Sequence, residues 1–309
     1  MTGAGIVVGH ADSGVQGDHP ALVDGYRGRA GQHDYHWLDP WNDTHAPMDR
    51  GGHGTHTLGS AVGRHGIGVA PGAEWFGCVN LARNIGNPAR YLDCLQFLLA
   101  PYPQDGDPFT AGAPARAAHV LNNSWGCPAI EGCDANTLRP AVAALRAAGI
   151  FTVASAGNSG PGCGSVNDPP ALYDEVFSVG AVDEDGDVTT FSSRGPVTVD
   201  GSGRLKPDIL APGASVLSAL PGGTYGLNDG TSMAGPHVAG VVALMWSAQP
   251  LLIGDIERTE QILVRTAQPY RGERVGCFAD GVAAGVPNNA VGYGLLDAYA
   301  AVRAAQGER

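Results

Sequence analysis

Gly230-Thr231-Ser232-Met233-Ala234-Gly235-Pro236-His237-Val238-Ala239-Gly240-Val241-Val242-Ala243-Leu244-Met245-Trp246-Ser247-Ala248 is the stretch whose reading settles the fold. From about Ser232 to Ala248 it predicts a helix that is apolar nearly all round, and such a helix belongs in an interior. Its small residues, Ala234, Gly235, Ala239 and Gly240, let neighbouring elements approach closely. Pro236 is tolerable because the first turn has few intrahelical donors to lose. A buried helix that opens on Thr231-Ser232-Met233, without a standard surface cap, is a first sign of a site.

Around this helix, short apolar runs predict strands at Gly5–Ala11, Glu74–Val79, His119–Asn123, Ile150–Ala154 and Val176–Val182. Helical patterns at Ala89–Leu99 and Leu138–Ala148 lie among them. For the second, Asp134 or Asn136 is the expected cap, Pro140 falls in the first turn and Gly149 ends the helix. Continuously apolar strands alternating with helices predict an α/β fold, three-layer α/β/α, with a mostly parallel central sheet. No repeat, low-complexity linker or composition shift divides the chain, so residues 1–309 read as a single domain.

Composition narrows the function classes. At 43% hydrophobic and 16% charged, the chain can bury a sizeable core. The net charge is −12, from 18 basic and 30 acidic residues, and Lys206 is the only lysine. Without a basic run, neither nucleic acid nor an anionic membrane is an expected partner, and a monomer is expected. No apolar stretch approaches the roughly 20 residues that span a bilayer. The opening residues lack the basic and apolar regions of a secretory leader, so the chain reads as cytoplasmic or as a trimmed mature domain.

Six cysteines, at 78, 94, 127, 133, 163 and 277, form no CxxC and no zinc-spaced cluster, so they predict no metal site. Three disulfides fit the even count and point outside the cytoplasm. Cys127 and Cys133 flank a short Pro-containing loop and form a plausible local staple. Cys78–Cys94 and Cys163–Cys277 are taken for the remainder, although other pairings and buried free thiols stay open.

Three short motifs follow in the order Asp, His, Ser. Asp12-Ser13-Gly14 comes directly after the apolar strand, and an acid at the carboxyl end of a parallel strand stands where open α/β sheets put their sites. His53-Gly54-Thr55-His56 follows Gly51-Gly52, and Ser232 opens the buried helix. Taken singly, Asp12 is a turn former, His53 a helix-start residue and Ser232 an N-cap. Together they match a chemical need: serine is a weak nucleophile until a neutral imidazole takes its proton, and that imidazole needs a carboxylate to fix its tautomer. A fourth element, Ala154-Ser155-Ala156-Gly157-Asn158-Ser159-Gly160, ends a strand in a Gly-rich loop. The Asn158 amide there can donate to a developing oxyanion beside the Ser232 N–H, a contact worth roughly 2.7–4 kcal/mol.

These four motifs, in this order, resemble the subtilisin-like serine peptidases, or subtilases. The resemblance extends over nearly the whole chain and includes Gly68-Val69-Ala70-Pro71-Gly72, Phe191-Ser192-Ser193-Arg194-Gly195-Pro196, Lys206-Pro207-Asp208-Ile209-Leu210-Ala211-Pro212-Gly213 and Gly292-Tyr293-Gly294-Leu295-Leu296-Asp297-Ala298. Gly14–Leu22 and Asn122-Asn123-Ser124-Trp125-Gly126 look most like the bacillopeptidase F branch. The resemblance implies a serine endopeptidase acting on proteins or peptides, with Asp12 as triad carboxylate, His53 as general base, Ser232 as nucleophile and Asn158 in the oxyanion hole. No cofactor is required for that chemistry. It also implies secretion, and a prodomain that the given chain does not carry.

Substrate contacts follow from the same resemblance. Ser124-Trp125-Gly126 is expected to pair with an extended substrate and form one wall of the S1 pocket, and Gly157 is also expected to contact substrate. Trp125 is a candidate apolar platform or a core aromatic. Asn167 and Asp168 are expected near the S1 base, where Asp168 would favour a basic P1 residue unless it only shapes a turn with Pro169-Pro170.

Departures are as informative. Between the His-bearing helix and Val69-Ala70-Pro71, only Val62–Ile67 stands where subtilisins commonly insert a calcium loop, so that structural site is expected to be absent. Asp183-Glu184-Asp185-Gly186-Asp187 offers oxygens for Ca²⁺ or is an exposed turn. His56 and His237 are expected to pack or hydrogen-bond behind the triad. His10-Ala11 replaces the usual aliphatic approach to the Asp and alters packing behind it. Met233, beside the nucleophile, predicts sensitivity to oxidation. A peptide ligase or cyclase using the same acyl-enzyme, and a non-catalytic peptide binder, are the competing readings. No long capping insertion favours the former, and intact site residues oppose the latter.

Overall fold

Strand β1 (Val7–Asp12) is buried along all six residues, the mark of a strand covered on both faces. It pairs in parallel with β3 (Glu74–Val79) on one side and β4 (Val120–Asn123) on the other. Beyond β4 come β5 (Phe151–Ser155), β6 (Phe177–Val182) and β7 (Ile209–Pro212), and β2 (Trp37–Leu38) forms the opposite edge. The order is β2-β3-β1-β4-β5-β6-β7, and every pairing in this sheet is parallel. The structure is a computed structural model that describes residues 1–272, 276–277 and 285–308.

Helices α1 (His53–Val62), α4 (Thr231–Ala248), α5 (Ile256–Thr266) and α6 (Ala298–Gly307) cover one face of the sheet, and α2 (Pro88–Leu99) and α3 (Arg139–Ala147) cover the other. Strand alternation sorts the side chains between the two cores. Val8, Trp75, Val120 and Val153 pack with Leu58, Val238 and Leu263, whereas Val7, Phe76, Leu121 and Ala154 pack with Leu95, Phe97 and Leu145. Each of the buried Val, Leu and Phe side chains contributes about 1.5–3 kcal/mol, which fixes the register of both layers. The three-layer α/β/α arrangement is the one the sequence predicts.

Two local expectations need correction. Neither Asp134 nor Asn136 caps α3, whose cap residue is Leu138 without a side-chain bond. Asp134 instead accepts from the Asn136 N–H at 2.8 Å and from Thr137 Oγ1 at 3.0 Å, closing its own turn before the helix begins. Pro236 lies inside α4, beyond its first turn, because the helix starts at Thr231. The carbonyl this proline leaves without a helical partner is that of Ser232.

Three disulfides join Cys78–Cys94, Cys127–Cys133 and Cys163–Cys277, with Cα separations of 5.4, 5.7 and 5.3 Å. The first ties α2 to β3. A hairpin of β8 (Val216–Leu220) and β9 (Thr224–Asn228) lies outside the sheet. No described helix is long and apolar enough to cross a membrane.

The chain passes from β3 over β1 to β4, so the strand order reverses there and a crevice opens at the carboxyl ends of the strands. Asp12 ends β1, Ser124 follows β4 directly, and Asn158 follows β5 at that same edge.

Candidate active site

Asp12 is wholly buried, and a carboxylate there needs donors. Its Oδ1 accepts from His53 Nδ1 at 2.7 Å and from the Ser13 N–H at 2.7 Å. Thr57 Oγ1 donates to Oδ2 at 3.4 Å. Donating through Nδ1 leaves His53 Nε2 as an acceptor, the tautomer a base requires. Burial alone would raise Asp12, but the His53 charge and hydrogen bond, with His10 and the Ser13 N–H, bring it below the usual carboxylate range. For His53 burial pulls downward, and the Asp12 charge and hydrogen bond, helped by Asp49, more than reverse it.

The approach of α1 to β1 is set by residues that sequence reasoning missed. Asp49 Oδ1 accepts from the N–H groups of Gly51 (2.9 Å) and Gly52 (2.8 Å) and from Ser13 Oγ (3.0 Å). Its Oδ2 accepts from the Thr55 N–H (2.8 Å) and Thr55 Oγ1 (2.6 Å). Asp49 therefore takes the Thr55 N–H of the first turn and the two N–H groups just before α1 from outside the helix, and Ser13 Oγ accepts that of Gly54 at 3.0 Å. An acid just before Gly51-Gly52 was the available signal. Gly54 permits the contact: a methyl group there would lie 2.1 Å from the Gly14 carbonyl and 2.9 Å from Asp12 Cβ.

Ser232 stands in the first turn of α4. Its Oγ donates to the Ser124 carbonyl at 3.0 Å, and in this conformation it makes no hydrogen bond to His53. Ser124 Oγ in turn donates to the Ser232 carbonyl at 2.8 Å, occupying the acceptor that Pro236 leaves open. Asn158 Oδ1 accepts from the Thr231 N–H (2.9 Å) and Thr231 Oγ1 (3.0 Å), so its Nδ2 is the end left to donate. A methyl group at Gly230 would lie 3.4 Å from Asn158 Nδ2 and 3.6 Å from the Ser232 nitrogen, which brings these two donors to one small space. Thr231 Oγ1 also receives the Gly157 N–H at 3.1 Å, locking the Gly157-Asn158 turn to the helix start. Thr231 carried no weight in the sequence and proves central here.

The expected substrate wall is only partly as drawn. Trp125 is 5% exposed, stacks on Tyr91 at 4.2 Å and donates from Nε1 to the Ala11 carbonyl at 2.9 Å. Its indole belongs to the core and is no platform; only its main chain is on offer. A side chain at Gly126 would run into Asp168 Cβ at 3.1 Å, so these two residues flank one another. Asn167 is exposed and Asp168 half-buried. Burial, then the Glu131 charge, raises Asp168, and no described residue pairs with its carboxylate.

Other histidines are occupied. His56 Nε2 lies 3.0 Å from the Val216 carbonyl and 3.2 Å from that of Gly226, holding the hairpin to α1. His237 Nδ1 lies 2.9 Å from the Met233 carbonyl. Met233 itself is 1% exposed. As for calcium, Asp183 Oδ1 accepts from the Asp185 (3.1 Å) and Asp187 (2.9 Å) N–H groups and closes its own turn. No three acidic, His or Cys side chains among the described residues converge as a metal site.

The family model described as the subtilase family matches residues 3–294. This chain belongs to the subtilase family. It is similar to bacillopeptidase F of Bacillus subtilis (strain 168), at 39% identity over 98% of this chain and 21% of that protein. It is 32% identical to subtilisin E of the same organism over 81% of this chain and 57% of that protein. With subtilisin Savinase of Lederbergia lenta it shares 33% over 81% of this chain and 79% of that one. The chain thus spans about a fifth of bacillopeptidase F and little over half of subtilisin E. A solved structure described as proteases from Pseudoalteromonas arctica superposes with a TM-score of 0.75 at 26% identity, covering 98% of this chain and 91% of that chain. The fold alone is shared with a prenylagaramide maturation protease, at a TM-score of 0.70 and 22% identity over 98% of this chain and 94% of that one.

Proposed function

We propose that this subtilase hydrolyses peptide bonds of proteins as a serine endopeptidase, through an acyl-enzyme on Ser232. The observation that carries the reading is the 2.7 Å bond from His53 Nδ1 to the wholly buried Asp12, which leaves Nε2 free to take a proton. Attack requires Ser232 Oγ to leave the Ser124 carbonyl and give its proton to Nε2 as the bond to the substrate carbonyl carbon forms. The imidazolium is stabilised by Asp12, and the oxyanion falls to Asn158 Nδ2 and the Ser232 N–H. His53 then protonates the leaving amine, and water, activated by the same imidazole, releases the acyl group.

Covalent labelling by a phosphonyl fluoride tests this directly. Ser232 should be the labelled residue, and an active preparation that is not labelled there removes the reading. Product mass spectrometry with an added amine separates hydrolysis from transfer to that amine.

The unpaired, half-buried Asp168 beside Gly126 supports a preference for a basic P1 residue. Paired peptides differing only in P1 Arg or Leu should be cut faster after Arg, and Asp168→Asn should level the two. Equal or better cleavage after Leu by the unaltered protein ends that assignment. The three disulfides support action outside the cytoplasm.

A further inference from the structure

His10 is 1% exposed and has no part in the chemistry above, yet it sits two residues before Asp12 on β1. Alternate strand residues share a face, as do helical residues four apart, so His10 and Asp12 meet His53 and Thr57 across the β1–α1 contact. His10 Nε2 lies 3.3 Å from Thr57 Oγ1, which lies 3.4 Å from Asp12 Oδ2. His10 Nδ1 has no partner. The titratable groups facing the ring are Asp12, His53 and Asp49, and the Gly54 carbonyl faces it as well.

The two neutral tautomers differ in what they leave unmade. A proton on Nδ1 would be a buried N–H without an acceptor, an arrangement folded proteins rarely keep. A proton on Nε2 leaves only a lone pair unmet at Nδ1, and the Nε2–H donates to the Thr57 hydroxyl. That hydroxyl, having accepted, has its own proton to give. The Gly54 carbonyl at 3.2 Å competes for it, but the Asp12 charge makes the bond to Oδ2 the stronger. Oδ1 is already taken by His53 and Ser13, whereas Thr57 is the single donor to Oδ2 among the described residues.

We propose that His10 is a positioning residue: uncharged and protonated on Nε2, it turns the Thr57 hydroxyl toward Asp12 Oδ2 and so fixes the ionised carboxylate against His53. The proposal rests on the Asp12–His53–Ser232 reading given above. Burial, the dominant influence on His10, keeps the ring uncharged.

Three variants and one spectrum test it. His10→Leu should lower kcat about tenfold, the worth of one hydrogen bond to a charged group, with KM unchanged. It should also move the acid-limb midpoint of kcat/KM upward, because Asp12 without its donor at Oδ2 becomes more basic and grips the imidazolium proton harder. His10→Gln, which keeps a donor at similar reach, should recover most of both. Adding His10→Leu to Thr57→Val should cost nothing more. Nitrogen NMR of histidine-labelled protein should show the Nε2–H tautomer at His10 from neutral to alkaline pH.

An Nδ1–H tautomer overturns the proposal. So does a His10→Leu enzyme with unmoved kcat and midpoint, or equal losses for Leu and Gln. If His10→Leu does not fold, Thr57→Val and the spectrum decide: an unmoved midpoint in Thr57→Val counts against it. Phosphonyl fluoride labelling of the unaltered protein keeps the two ideas apart. No labelling at Ser232 removes the triad reading, whereas labelling alongside an unmoved midpoint removes His10 alone.

Discussion

At the Asp12 end of the site nearly every polar atom is paired, while at the Ser232 end donors stand open. Asp12, Ser13, Asp49, Thr55 and His53 form a closed set of short hydrogen bonds around a buried charge. Across the crevice, Asn158 commits Oδ1 to Thr231 and keeps Nδ2, and Ser232 commits its carbonyl to Ser124 and keeps its N–H. The contrast has a physical source. A resident anion must be compensated at all times, or burial would protonate it. The oxyanion of the proposed mechanism exists only in passing, so its donors must be aimed in advance and left unspent, with each group held by its other polar atom.

Removing the proposed nucleophile should give the largest effect. Ser232→Ala is expected to lower kcat on the order of a million-fold, the loss known for the corresponding change in subtilisin, with KM little altered. A residual rate within a hundred-fold of the parent would mean that another group attacks.

Asn158 tests whether frame and donor are separable. Asn158→Asp keeps an oxygen for Thr231 but removes the donor, so kcat should fall by about 10²–10³ while the melting temperature holds. Asn158→Ala loses the contact to the Thr231 N–H and hydroxyl as well and should cost about 1 kcal/mol of stability in addition. Equal thermal losses in both variants would show that the Thr231 contact adds nothing to the frame.

The closed half is read by pH. In the proposed mechanism His53 must be uncharged to accept the Ser232 proton, and its pKa lies above the ordinary 6.5 because Asp12 favours the charged ring. The acid limb of kcat/KM should therefore have its midpoint above 6.5, with activity rising as His53 loses its proton. A midpoint below that value would show burial to outweigh the carboxylate.

How far this division was legible in the sequence follows from how local each feature is. The β1, β3, β4, β5 and β6 strands announce themselves as apolar runs, and α4 by its lack of a polar face. β2 has only two residues, and β7 hides in a Pro-bounded segment, so neither has enough pattern to read. Asp12, His53, Ser232 and Asn158 could be named as candidates because their motifs stand at strand ends and a helix start in an order that resembles the subtilases. Thr57 and Thr231 could not, since ordinary threonines gain meaning only from partners far along the chain, Asp12 for one and Asn158 for the other. Asp49, whose partners Gly51, Gly52 and Thr55 are close in sequence, was there to be read and was passed over. Trp125 was ambiguous for the opposite reason: an indole fits a core or a binding wall equally, and only the Tyr91 stack and the bond to Ala11 choose the core.

The smallest expected effect probes the join between the two halves, the exchange between Ser124 and Ser232. Pro236 removes the N–H that would claim the Ser232 carbonyl within α4, and Ser124 Oγ takes its place at 2.8 Å. Pro236→Ala restores a competing donor, worth up to about 3 kcal/mol to a helix interior. It also deletes buried methylenes at roughly 0.8 kcal/mol each, so the change in melting temperature should be small. With the carbonyl retaken by the helix, Ser124 Oγ is released, and with it one fixed point of the strand edge that faces Ser232. Peptide hydrolysis should then fall only a few-fold, mostly in KM for extended substrates, while the rate of phosphonyl fluoride labelling stays near the parent value. A labelling rate that falls in step with peptide cleavage would place the Ser124 contact with the nucleophile and not with the substrate edge.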